Sequence, residues 1–299
     1  MQLSANGVRL EVEIHGPAHG EPLLLIMGLG MQLIAWPDGL VDQLVARGFR
    51  VIRYDHRDIG LSQPFDELGP PNLALGALLH ALHLPLAAPY RLADLACDAV
   101  GLLDALGIAR AHVCGASMGG MVAQHLGFSH GERLKSLTLM MTTSGDRRLP
   151  RESLRVRRAL LSRPRPALTP AQWQANVVEH VAGLYDLIGS PAYRPDAAEL
   201  RQRIAQAVRR SDRPQAVARQ LVAIAADRHR AERLARITAP TRVQHGEADG
   251  LIPVAAAHDL ARRIAGAELE IIPGWGHDLP QPLWARLADG IAANAARAA

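Results

Sequence analysis

At 299 residues the chain has room for one large α/β domain, or for a core with an inserted subdomain. Its hydrophobic content of 48% fits a globular protein, and no run approaches the roughly 18 apolar residues of a membrane span. Net charge is +4, from 33 basic and 29 acidic residues, yet aromatics make up only 4% of the chain. That composition argues against a nucleic-acid stripe and for arginines on solvated helix faces.

Two cysteines, Cys97 and Cys114, do not form a disulfide framework, and neither has metal-ligand spacing. The segment Met1-Gln2-Leu3-Ser4-Ala5-Asn6 has no basic stretch followed by an apolar one, so a cytoplasmic location without stable membrane association is expected. In chain order, Val8–His15 alternates like an exposed edge strand, and residues 23–26 form the continuous apolar run of a strand buried on both faces. Residues 50–54 read as the next strand. Residues 72–86, rich in leucine and alanine with His80 and His83, read as a helix whose apolar face packs inward. Residues 92–106 read as a helix stopped by Gly107.

Residues 111–114 form a strand that runs into Gly115-Ala116-Ser117-Met118-Gly119, and a helix-like run follows. Gly-x-Ser-x-Gly between a strand and a helix predicts a nucleophile elbow. The sharp turn strains the serine backbone and lifts its hydroxyl clear of the sheet at a helix N-terminus, where free N–H groups favour negative charge. Small flanking residues are needed because the strand and helix backbones nearly touch. Leu134–Met140 is the next strand. The strand rhythm then stops near Thr142 and resumes at Thr241. In the interval, Thr169-Pro170-Ala171-Gln172, Asp196-Ala197-Ala198-Glu199 and Ser211-Asp212-Arg213-Pro214 read as helix starts. The expected organisation is a core of residues 1–143 and 238–299 with a helical cap over residues 144–237. Strands at 241–245 and 269–272 complete a mainly parallel sheet flanked by helices.

A serine hydroxyl needs a base within hydrogen-bond reach. The segment His245-Gly246-Glu247-Ala248-Asp249-Gly250 follows one strand, and Gly274-Trp275-Gly276-His277-Asp278 follows the last. The order Ser, Asp, His after successive strand ends predicts Ser117 as nucleophile, His277 as general base and Asp249 as its orienting acid. Glu247, Asp278 and Asp146 are the competing acids. The oxyanion hole should use the backbone N–H of Met118 and one from Met27-Gly28-Leu29-Gly30, with Leu29 best placed and Gly28 allowing the turn. His125, eight residues into the elbow helix, is expected to pack or to lie on a polar face rather than to react.

These residues together resemble the α/β-hydrolase superfamily. Met27 stands where ordinary members have histidine in the oxyanion loop. With Trp36-Pro37-Asp38 and Tyr54-Asp55-His56-Arg57-Asp58, the chain looks like the aclacinomycin methylesterase branch. That branch has glycine where this chain has Leu29. A structural role is expected for Asp55 and Arg57, tying the loop near the elbow. The resemblance implies a serine carboxylesterase with no cofactor and no metal, acting on small to medium apolar esters in an apolar pocket. The implied partner is a small-molecule ester, with no nucleic acid, and a homo-oligomer is left open. Haloalkane dehalogenases and epoxide hydrolases on this fold use an aspartate nucleophile, and Ser117 argues against both. A cofactor-free perhydrolase (haloperoxidase-like), a lactonase, a C–C bond hydrolase or an acyltransferase would share the triad. A receptor-like ligand-binding hydrolase is the rival of a different class.

Overall fold

Strands β1 (Gln2–Ala5), β2 (Val8–His15), β3 (Glu21–Ile26), β4 (Phe49–Tyr54), β5 (Ala111–Ala116), β6 (Leu134–Met140), β7 (Thr241–Gly246) and β8 (Glu268–Ile272) form one sheet in the order β1-β2-β4-β3-β5-β6-β7-β8. The computed structural model describes residues 1–82 and 84–298, so His83 lies outside the described residues. Pairing is antiparallel from β1 through β2 to β4 and parallel from there onward. The alternation of Val8–His15 predicts an edge strand. It is the second strand, because Gln2–Ala5 pairs outside it through a turn in which Asn6 and Gly7 take positive φ.

Helices α1 (Asp38–Val45), α2 (Leu73–Ala81), α3 (Leu92–Ala105), α4 (Met118–Ser129), α5 (Leu154–Leu160), α6 (Pro170–Ile188), α7 (Ala197–Arg210), α8 (Pro214–Ala226), α9 (Arg230–Arg233), α10 (Ala255–Arg263) and α11 (Trp284–Ala296) complete the chain. The period-two alternation of β3 divides its burial between two layers. Leu24 and Ile26 join Leu95, Leu102 and Val122 of α3 and α4 on one face. Leu23 and Leu25 join Leu40, Leu44, Leu287 and Ile291 of α1 and α11 on the other. Each fully buried leucine contributes roughly 1.5–3 kcal/mol, so the centre of the sheet is the most strongly fixed part of the molecule. The candidate site is built on its strand ends.

Between β6 and β7 the described chain is helical, α5 to α9. The Thr169 side chain caps α6 by accepting from the Gln172 N–H, with Pro170 at the first position. Asp196 caps α7 by accepting from the Ala198 and Glu199 N–H groups. The third start opens α8 at Pro214, but its N-cap is Arg213, whose side chain makes no cap bond. Helix α2 also forms, with Asn72 accepting from the Leu75 N–H. It packs on α8, yet Leu73, Leu75, Leu78 and Leu82 are exposed and only Gly76 is buried. The expected inward apolar face is therefore only partly used, because a helix this uniformly apolar cannot bury every side.

The arginines of the helical stretch are not all solvated, as their place on polar faces led one to expect. Arg219 of α8 is fully buried and forks onto both carboxylate oxygens of buried Asp58, at 2.6 and 2.8 Å. Arg210 at the end of α7 reaches buried Asp55 at 2.7 Å. Arg230 bonds Asp227 and Gln124. Arg219→Met should destabilise the protein by about 3–5 kcal/mol, because it strands the Asp58 carboxylate inside. Chemical denaturation measures this; a loss under about 1 kcal/mol would show that water already solvates the pair.

Candidate active site

The topology converges the predicted residues. β3, β5, β6, β7 and β8 run parallel, so the loops that follow them leave from one edge of the sheet. Ser117 follows β5, Asp249 follows β7 and His277 follows β8. Ile26 is in register with Gly115, which sets the loop after β3 beside the elbow.

Ser117 has φ 55° and ψ −119°, a left-handed strained conformation held by its surroundings. Its N–H donates to the Met140 carbonyl at 3.0 Å, and the Thr142 hydroxyl donates to its carbonyl at 2.6 Å. Space explains the glycines. A Cβ at Gly115 would overlap the Gly119 carbonyl, and one at Gly119 would overlap the Ile26 carbonyl.

His277 Nε2 lies 3.0 Å from Ser117 Oγ, and His277 Nδ1 lies 2.7 Å from Asp249 Oδ2. An ionised carboxylate only accepts, so the proton belongs on Nδ1 and Nε2 is free to accept from the hydroxyl. Asp249 is buried, and its other oxygen accepts from the Leu251 and Ile252 N–H groups at 2.9 and 2.8 Å. The carboxylate is thus fixed on both sides. The competing acids are elsewhere: Glu247 is exposed, and Asp146 bonds Arg148 and Arg263, which hold its carboxyl well below the usual range. Asp278 accepts from the Ser190 hydroxyl and N–H; burial pushes its carboxyl up, against those bonds.

The N–H groups of Leu29 and Met118 have no acceptor among the described residues, and both residues line the same cavity as Ser117 and His277. A Cβ on Gly28 would sit 3.1 Å from Ser117 Cβ, so this loop presses against Ser117. The turning residue of the loop is Gly30, at φ 68°, rather than Gly28, whose need is space.

Several contributors were invisible to sequence reasoning. His245 is fully buried, donates from Nε2 to the Ile252 carbonyl at 2.8 Å and stands 3.5 Å from Asp249 Oδ2. Burial pushes its imidazole down, against the opposing pull of Asp249. The His277 N–H donates to the Ile188 carbonyl at 2.7 Å, and the Gly276 N–H donates to Ser190 Oγ at 2.9 Å. The end of α6 therefore holds the histidine loop. Only the small residues Gly189 and Gly276 hinted at this close approach: a Cβ at Gly276 would strike the Gly189 backbone. Asp55 and Arg57 make structural contacts with partners in distant segments. Asp55 accepts from the Leu33 N–H at 2.6 Å and from Arg210, while Arg57 forks onto Asp98 of α3. His125 packs as expected, against Asp227 at 3.0 Å. Burial pushes the Asp227 carboxyl up, but His125 and Arg230 outweigh it and hold it below its ordinary value.

The cavity measures about 3140 Å³. Leu73 and Ala77 of α2, with Val177, Leu184 and Leu221 of the helical stretch, line it. Its wall is not purely apolar, since Arg147, Arg151 and Arg203 also face it. Among the described residues no group of three or more His, Cys, Asp or Glu could hold a metal ion, and no helix is long and apolar enough to cross a membrane.

Comparison with known proteins gives a family match, described as the alpha/beta hydrolase fold, over residues 21–280. The chain is 31% identical over 289 residues to the rhodomycin D methylesterase DnrP of Streptomyces peucetius, covering 91% of this chain and 90% of that protein. It is 32% identical over 277 residues to RutD of Variovorax paradoxus, named for carbamate hydrolysis, covering 90% and 89%. Among solved structures it resembles the enol-lactonase of Burkholderia xenovorans LB400, with a TM-score of 0.71, 25% identity, and coverage of 100% and 99%.

Proposed function

This chain belongs to the α/β-hydrolase family, and from that membership we propose that it hydrolyses carboxylic esters through an acyl-enzyme on Ser117. The observation that carries the reading is the line Ser117 Oγ, His277 Nε2, His277 Nδ1, Asp249 Oδ2, with spacings of 3.0 and 2.7 Å, beside two backbone N–H groups without an acceptor among the described residues. Ser117 Oγ attacks the ester carbonyl while His277 Nε2 takes its proton. Asp249 stabilises the resulting imidazolium. The N–H groups of Leu29 and Met118 hold the tetrahedral oxyanion. His277 then returns the proton to the departing alkoxide, and the acyl group remains on Ser117. A water molecule gives a proton to His277, attacks the acyl carbonyl and releases the acid, and Ser117 recovers its hydroxyl hydrogen.

Residues 144–237 act in this proposal as a cap that shapes the cavity. The substrate is a small to medium, largely apolar ester, and a methyl ester fits the kinship with DnrP. No cofactor takes part, and the cytoplasm is the proposed location. A lactone is a cyclic ester opened by the same steps, and the likeness to the enol-lactonase supports testing lactones beside open esters. A fluorophosphonate label should modify Ser117, read by peptide mapping, and a panel graded by acyl length, with methyl esters, lactones and carbamates included, should reveal ester turnover. Labelling of another residue, or no turnover anywhere on the panel, would end the reading.

A further inference from the structure

The oxyanion loop carries an unusual mechanical problem. Leu29 lies between Gly28 and Gly30, the two residue positions with the softest backbone rotations, yet its N–H must hold a fixed direction. One of its two flanking peptide planes is set from within the loop, because the Gly28 carbonyl accepts from the Met31 N–H at 3.2 Å. In a trans peptide the N–H points opposite to the carbonyl, so that bond also turns the Leu29 N–H the other way. The second plane, from the Leu29 carbonyl to the Gly30 nitrogen, has no such partner inside the loop. Its N–H donates instead to Gln220 Oε1 of α8 at 2.8 Å, across 190 positions of sequence.

Gln220 is completely buried, and α8 bears directly on this loop: a Cβ on Gly30 would lie 2.9 Å from Val217 Cγ2. The amide of Gln220 is itself under-used, because Nε2 is buried without a partner among the described residues. A buried amide that leaves its donor unsatisfied is a net cost to the fold. Nothing in core packing calls for that group, since an apolar side chain of the same length would fill the space without it. The bond to Gly30 is what the polar group supplies. Neighbouring α8 residue Arg219 is locked to Asp58 by two bonds, so the helix that carries Gln220 is anchored one residue away.

Resting on the esterase reading above, we propose that Gln220 is a positioning residue: by fixing the Leu29–Gly30 peptide plane it keeps Leu29 between two held planes, with its N–H at the oxyanion, so that the hole is complete only with α8 seated on the loop. The effect belongs to the transition state. The oxyanion is charged and close, whereas the ground-state ester carbonyl makes weaker use of the same donor.

The test is Gln220→Met, which keeps the length and removes the acceptor, assayed on a p-nitrophenyl ester beside Gln220→Glu, which retains a carboxyl oxygen at the same reach. Q220M should lower kcat by about 10- to 100-fold, below the full loss of an oxyanion donor, with KM within about threefold. Burial without a cation keeps the new carboxyl of Q220E protonated, a neutral acceptor in place of the amide oxygen, so Q220E should recover kcat to within about threefold of the parent. A trifluoromethyl ketone, whose hemiketal oxygen occupies the hole, should bind Q220M more weakly in proportion to kcat. Should Q220M fail to fold, Gln220→Asn, shorter by one methylene, should give the same split at smaller size. Unchanged kcat in Q220M, a rise in KM alone, or equal losses in Q220M and Q220E would overturn the proposal. Ser117→Ala in the same assay separates the two claims. An inactive S117A with an unaffected Q220M removes only the role of Gln220, whereas an active S117A removes the acyl-enzyme itself.

Discussion

Replacing Ser117 with alanine should reduce p-nitrophenyl ester turnover by at least about 10⁴-fold while leaving the fold intact. Alanine removes one oxygen and adds nothing, so the elbow keeps its packing. The backbone strain at φ 55° is the same for either residue, and the bonds that hold it, Ser117 N–H to the Met140 carbonyl and Thr142 to the Ser117 carbonyl, involve only main-chain atoms of residue 117. The circular dichroism spectrum and the melting temperature should therefore match the parent within a degree or two, while fluorophosphonate labelling disappears. Turnover within tenfold of the parent would show that another nucleophile carries the reaction.

His277→Ala should cost about as much, on the order of 10⁴- to 10⁶-fold in kcat. The imidazole touches both partners, and among the described residues no other base stands in its place. His245, the nearest alternative, is buried behind Asp249 with its Nε2 hydrogen committed to the Ile252 carbonyl. KM should change little, because the ring acts on a proton rather than on the bulk of the substrate. The loop itself should survive, since its tie to the Ile188 carbonyl uses the backbone N–H of residue 277. A variant with kcat preserved and KM raised would make His277 a binding residue and would call for a different base.

Local chemistry explains which parts of this molecule were readable in advance. Gly-x-Ser-x-Gly marks a turn whose sterics only a few residues satisfy, so Ser117 and its helix could be placed from five positions. Asp249 and His277 followed from strand order, because a parallel sheet brings successive strand ends to one edge. The helix starts at Thr169 and Asp196 were legible for a similar reason: a capping side chain bonds two or three residues away. The pairing of β1 with β2 was missed, since four residues with mixed polarity carry little strand signal. What escaped altogether were contacts between distant segments. Nothing near Asp58 announces Arg219, and nothing near Gly30 announces Gln220, each more than 150 positions away. Tyr-Asp-His-Arg-Asp marks the two acids in the sequence, yet their partners come together only in three dimensions. Likewise, leucines on α2 that read as an inward face stand partly in water, because the burial available to a helix is set by its neighbours.

The ties between Asp55 and Arg210, and between Asp58 and Arg219, bear on how such enzymes diversify. The stretch from α5 to α9 leaves the sheet after β6 and returns at β7, so it can be exchanged as a cassette without cutting any strand that bears Ser117, Asp249 or His277. A donor cassette lacking arginines at the equivalents of positions 210 and 219 would leave two carboxylates buried and unmatched in the recipient. Chimeras built to alter substrate choice should therefore transplant the aspartates and arginines together, or neutralise both sides at once.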